Sequence, residues 1–167
     1  YDRLIGRVRE LVETTEPEAL VRRPGDGWSA AECIDHLTAS ARLYLEPFEK
    51  AIARAREEGL TGHRPDGRTL LGRIITWTME PPPRLRMKTF GELEPGEELD
   101  PGELAGEFET VHRTLVSRMN DAADLDRKRV KVRSLLDSRL KLSLDDWYAF
   151  LAAHARRHLW QAERALN

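Results

Sequence analysis

Residues 143–160 read Ser143-Leu144-Asp145-Asp146-Trp147-Tyr148-Ala149-Phe150-Leu151-Ala152-Ala153-His154-Ala155-Arg156-Arg157-His158-Leu159-Trp160. Ser143 followed three residues later by Asp146 is a box-like helix start, in which each side chain bonds the other's backbone N–H. From there Leu144, Trp147, Leu151, His154, His158, Ala162 and Ala165 recur at three- and four-residue intervals, one stripe of a helix running to about Leu166. Its other sides carry Ala149, Ala152, Ala153, Ala155, Leu159 and Trp160. A helix apolar nearly all round is central to its fold or covered by a partner. Trp160 therefore reads equally as a dimer anchor and as ordinary packing.

The rest of the chain repeats the helical period. Leu4, Val8, Leu11 and Val12 mark a helix from Asp2 to about Thr15. Ser29-Ala30-Ala31-Glu32 is a capping box, opening a second helix to about Glu58 with Cys33, Leu37, Ala41, Tyr44, Phe48 and Ile52 in its stripe. Pro47 falls inside that stripe and removes one backbone donor. Leu70, Leu71, Ile74, Ile75 and Met79 define a shorter helix over residues 68–79, ended by Pro81 to Pro83. Asp100-Pro101-Gly102-Glu103 starts another, with Leu104, Phe108, Val111, Leu115 and Met119 on its buried face. Residues 124–142, with Val130, Val132, Leu135 and Leu136, read as a short helix or an extended connector. The expected fold is all-α: an up-and-down four-helix bundle with an additional short helix, in one domain over residues 1–167.

Composition narrows the function. The chain has 167 residues, 40% of them hydrophobic, enough for one buried core. Its 27 basic and 29 acidic residues give a net charge of −2, so there is no basic field to attract nucleic acid or a membrane surface. A single cysteine, Cys33, excludes an intrachain disulfide and a cysteine-based zinc cluster. No apolar run approaches the ~18 residues of a membrane span. The numbered sequence carries no signal-peptide pattern, and a cytoplasmic location is expected.

The histidines carry the chemistry. His154 and His158 are four apart on one helix face, close enough to share a metal ion at about 2.0–2.1 Å from each nitrogen. That spacing alone is weak, but both rings also fall on the inward stripe, where a polar ring without a partner is costly. His36 lies at the margin of the second helix's stripe, with Cys33, Ser40 and Leu43. If the second and last helices are neighbours, it reaches the same point. Three neutral imidazoles would leave coordination positions open, as catalytic metal sites do, and such an ion lowers the pKa of bound water or thiol. The competing reading is three core histidines bonded to Asp, Ser or backbone groups. Ligating imidazoles must be neutral, so metal affinity is expected to weaken below the ordinary histidine pKa of about 6.5. His63, in a loop, reads as surface, and His112 as a packed edge residue and spare ligand.

Two stretches resemble a known family. Gly27-Trp28-Ser29-Ala30-Ala31-Glu32-Cys33-Ile34-Asp35-His36-Leu37 is similar to the Trp-Ser, Glu, His-Leu helix opening of the DinB/YfiT-like bacterial metal-binding four-helix proteins. His154-Ala155-Arg156-Arg157-His158-Leu159-Trp160-Gln161 resembles that family's closing His-x-x-x-His segment, which in many members continues into Gln. The resemblance implies one divalent ion, nickel or zinc, on His36, His154 and His158, and a homodimer. It also implies a metal-dependent transferase, isomerase or hydrolase acting on a small electrophile, with a low-molecular-weight thiol such as bacillithiol or mycothiol as the activated nucleophile. The alternative is a metal-binding protein without turnover. The substrate is not implied.

Other polar residues read more plainly. Glu32 and Asp146 belong to helix starts, and Asp35 points about 100° away from His36, toward solvent. Arg156 and Arg157 either orient an anionic ligand or form surface ion pairs, the second reading leading. Cys33 reads as a small buried residue rather than a ligand or nucleophile, and Tyr44 as core packing that also reaches a cavity mouth. No general base is assigned.

Overall fold

A computed structural model describes residues 1–62, 66–83, 93–96, 99–135, 137 and 139–167. Its elements are α1 (Asp2–Thr14), α2 (Pro17–Val21), α3 (Ala30–Glu57), α4 (Leu70–Met79), α5 (Pro101–Asp121), β1 (Lys131–Arg133), β2 (Lys141–Ser143) and α6 (Leu144–Ala165). Both boxes read from the sequence are formed. Ser29 Oγ accepts from Glu32 N at 3.1 Å while Ser29 N donates to Glu32 Oε2 at 2.8 Å. Asp146 N donates to Ser143 Oγ and Ser143 N to Asp146 Oδ2, each at 3.1 Å. Asp100 caps α5 through Gly102 N, with Pro101 in the first turn.

The fold is helical, but the expected count of four long helices and one short one needs correction. Five helices pack together: α3 lies against α5 and α6, α1 against α5, and α4 against α6. The five-residue α2 and a small antiparallel hairpin are additions. In the stretch that read as a short helix or an extended connector, the described residues form turns and the two hairpin strands and no helix. Val130, Val132 and Leu142 are buried, while Lys131 is half-buried and Arg133 and Lys141 are exposed, a two-residue alternation that a helix cannot satisfy. Val132 pairs with Leu142, and the Trp147 indole N–H donates to the Val132 carbonyl at 2.9 Å, fastening the hairpin to α6. No helix among the described residues is long and apolar enough to cross a membrane.

Two apolar clusters fill the bundle. One gathers Ala41, Tyr44, Phe48, Leu115, Leu144, Trp147 and Leu151, the other Ile5, Val8, Ile34, Leu37, Phe108, Ala155 and Leu159. Along α3 the seam between them falls between Leu37 and Ala41, and along α6 between Leu151 and Ala155. His36 and Ser40 flank the first seam, and His154 lies within the second with His158 one turn beyond. A polar layer thus crosses the bundle where its two cores meet.

Candidate metal centre

Each ligand candidate is positioned by the helix that carries it. The Ser29–Glu32 box fixes where α3 begins, so His36 follows two turns later; Arg23 pairs with Glu32 and clamps that start from outside. The Ser143–Asp146 box does the same for α6, with His154 and His158 three and four turns along. Because α3 packs on α6, the three rings converge. Their centroids are 5.1 Å apart for His36 and His154, 4.5 Å for His36 and His158, and 4.6 Å for His154 and His158. One nitrogen from each lies within 4.8 Å of the others, a group able to hold a metal ion.

The donor chemistry fits a divalent ion. His36 Nδ1 sits 2.8 Å from the Leu93 carbonyl, which can only accept, so Nδ1 carries the proton and Nε2 presents a lone pair. His36 Nε2 faces His154 Nε2 at 3.2 Å. Two nitrogens bound at about 2.0–2.1 Å with a tetrahedral angle between them lie about 3.3–3.4 Å apart, close to that separation. Burial, the neighbouring histidines and Arg157 hold His154 down to about 3 and His158 down to about 2. Burial also lowers His36, against the Leu93 carbonyl and Asp35, which raise it. All three rings are therefore neutral near pH 7, the form that binds metals.

Around the rings the protein builds a cavity of about 1260 Å³. Trp28 lies against both His36 (5.0 Å) and His158 (5.8 Å), and Phe150 stacks on His154 at 5.9 Å. Tyr44, Trp147 and Leu151 line it further, so its walls are largely aromatic and apolar. Arg157 also lines it, and there the reading of a surface arginine needs correction. Arg157 is 6% exposed, with Nη1 3.8 Å from Met79 Sδ, because α4 packs over that side of α6. Arg156 does form the expected ion pair, with Glu80.

The remaining candidates separate clearly. His112 is not an edge residue: it is 2% exposed, donates Nδ1–H to the Phe108 carbonyl at 2.9 Å and stacks on Phe108 at 3.8 Å. It stands outside the three-ring group, and burial holds its pKa down to about 4. His63 lies outside the described residues. Cys33 lines the cavity but is buried, and desolvation pushes its thiol up to about 12, away from nucleophilic use. Tyr44 is both core and cavity wall. Asp35 is half-buried rather than solvent-facing and accepts from Gly96 N at 3.1 Å. Glu32 and Asp146 serve helix starts, as read. One contributor escaped the sequence reading: Leu93 acts through its carbonyl, for which no side-chain signal exists. Trp28 was read there only as part of the family-like helix opening, with no role beside the rings.

A family model described as the DinB superfamily matches residues 1–162. No curated protein and no solved structure matches the chain.

Proposed function

The chain belongs to the DinB superfamily, and from that premise we propose that it is a cytoplasmic metalloenzyme, one domain over residues 1–167, with His36, His154 and His158 as ligands of one nickel or zinc ion. The observation that carries this reading is the convergence of three neutral imidazoles on a cavity large enough for a small molecule. Such an ion makes a bound thiol or water nucleophilic near neutral pH, which suits transfer, isomerisation or hydrolysis on a small electrophile. A low-molecular-weight thiol leads because of the family resemblance. The chain's own residues bind and orient. Trp28, Trp147 and Phe150 receive the apolar part of the substrate, and Arg157 places a positive charge on the wall beside the rings. No general base is assigned, since Glu32, Asp35 and Asp146 are committed to backbone N–H groups.

Metal analysis of protein dialysed after incubation with zinc or nickel tests the reading. About one equivalent is expected in the wild type, with loss of nearly all of it in His154→Ala and in His158→Ala. A wild type that retains none overturns it. With the site loaded, thiols screened against electrophiles separate an enzyme from a binding protein without turnover.

The homodimer that the resemblance implies is assigned here to α4. Leu70, Leu71, Ile74 and Trp77 are 51–76% exposed and fall within one arc of that helix. Together they offer on the order of 500 Å² per copy, so a two-fold contact would bury about 1,000 Å², the lower limit for a specific contact and the size of a weak, concentration-dependent pair. Trp160, the other anchor considered, is half-buried and covered by the Arg164 guanidinium at 4.9 Å. Sedimentation is expected to give a dimer that Ile74→Asp converts to monomer; a monomeric wild type at 100 μM would refute the assignment.

A further inference from the structure

Two buried polar atoms on the cavity wall lack partners in a complementary way. His158 Nδ1 has no hydrogen-bond partner, and neither has the carboxamide oxygen Oε1 of Gln161. A buried donor or acceptor left unpaired costs about 1–3 kcal/mol. The residues are three apart on α6, and so adjacent on one helix face, and both line the cavity. A neutral imidazole, the form that ligates a metal, carries one N–H and one lone pair. The other histidines show what is missing. His36 gives its Nδ1–H to the Leu93 carbonyl, and His112 gives its own to the Phe108 carbonyl.

We infer that Gln161 is a positioning residue for the metal site: its Oε1 accepts the Nδ1–H of His158 when Nε2 of that ring is turned to the ion. The inference rests on the metal-binding reading above. Closing this pair would remove both unpaired groups at once. The bond would fix the tautomer and the plane of His158, as outer acceptors do for ligating histidines, where their loss typically lowers affinity 10- to 100-fold. His36 needs no such side chain because the Leu93 carbonyl already fills that role.

The test is a titration with cobalt(II), followed by its visible absorption, of wild type, Gln161→Leu and Gln161→Glu, with urea unfolding of each metal-free form. Gln161→Leu is expected to keep one site per chain but bind 10- to 100-fold more weakly, with a changed absorption spectrum. Gln161→Glu, which restores an acceptor, is expected to return affinity to within about threefold of wild type. A purely structural role would move the urea midpoint and leave affinity and spectrum alone. The inference is overturned if the wild type binds one cobalt and Gln161→Leu binds it equally well, or if Gln161→Glu fails to restore binding. No binding by the wild type would instead overturn the metal reading, and this inference with it.

Discussion

Metal-free protein is expected to lose at least about 6 kcal/mol of folding stability between pH 7.5 and pH 5. The cause is that the fold holds its described histidines neutral. His112 is held down to about 4, His154 to about 3 and His158 to about 2, while the same side chains titrate near 6.5 in the unfolded chain. Between those values the unfolded state binds more protons than the folded one, so stability is complete above about 6.5 and falls as pH drops. Each such histidine contributes about 2 kcal/mol at pH 5, the free energy of protonating a free imidazole there, and His36 adds in the same direction. The carboxylates held low by partners, such as Glu32 beside Arg23, lose their contribution only below about pH 4.5. The interval from pH 5 to 7.5 therefore belongs to the histidines. Urea unfolding in the presence of a chelator at both pH values measures the difference, and His112→Leu should reduce it by about 2 kcal/mol. Equal stability at the two pH values would mean that the rings are open to protons in the folded protein.

The same argument changes what is expected of metal affinity. Unperturbed imidazoles would lose affinity below about 6.5, by competition with protons. Rings already deprotonated in the folded, metal-free protein have no proton to release, so affinity should hold down to the pH at which the fold itself gives way. Saturating metal would raise the whole stability curve without changing its slope between pH 5 and 7.5.

What was legible in the sequence follows from which interactions are local. The Ser29–Glu32 and Ser143–Asp146 boxes span four residues each, so the starts of α3 and α6 could be read, and with them the faces bearing His36, His154 and His158. Whether those faces met depended on α3 packing against α6, which no spacing states. The polar layer at the seam of two cores is likewise a tertiary fact, although it left a trace in the histidines that interrupt otherwise apolar stripes. The Leu93 carbonyl and the burial of Arg157 left none. One is a backbone group in a segment without periodicity, and the other depends on where α4 lies. In the hairpin, Val130, Lys131, Val132 and Arg133 did show the two-residue period, but over too few residues to decide against a helix.

Asp146→Ala is expected to cost about 3–5 kcal/mol, because the residue that starts α6 also holds α4. Its carboxylate is fully buried and serves two helices. Oδ1 accepts from Thr69 N at 2.7 Å, and Oδ2 from the Thr69 hydroxyl at 2.9 Å and from Ser143 N at 3.1 Å. Thr69 is in turn the cap of α4, its Oγ1 accepting from Gly72 N at 3.0 Å. Truncation would strand the buried Ser143 N–H and the half-buried Thr69 N–H at once, whereas Asp146→Asn keeps one oxygen and should cost roughly half as much. The approach is so close that a Cβ on Gly72 would lie 1.9 Å from Oδ1 and 2.7 Å from the Cβ of Asp146. Gly72→Ala must therefore force the carboxylate off its partners or push α4 outward. Removing the carboxylate does not make room, because the Asp146 Cβ alone is too near. The double variant should be less stable than Asp146→Ala, yet more stable than the summed losses predict, since each change breaks the same bonds. At about 2–4 °C per kcal/mol for a chain of this size, Asp146→Ala lowers Tm by roughly 10 °C, which thermal unfolding reads directly. Asp146 lies two turns from His154, about 12 Å along the helix, so the folded fraction of each variant should still bind one metal ion. A variant that loses the metal while keeping its Tm would mean that α4 orders the three rings as well as covering them.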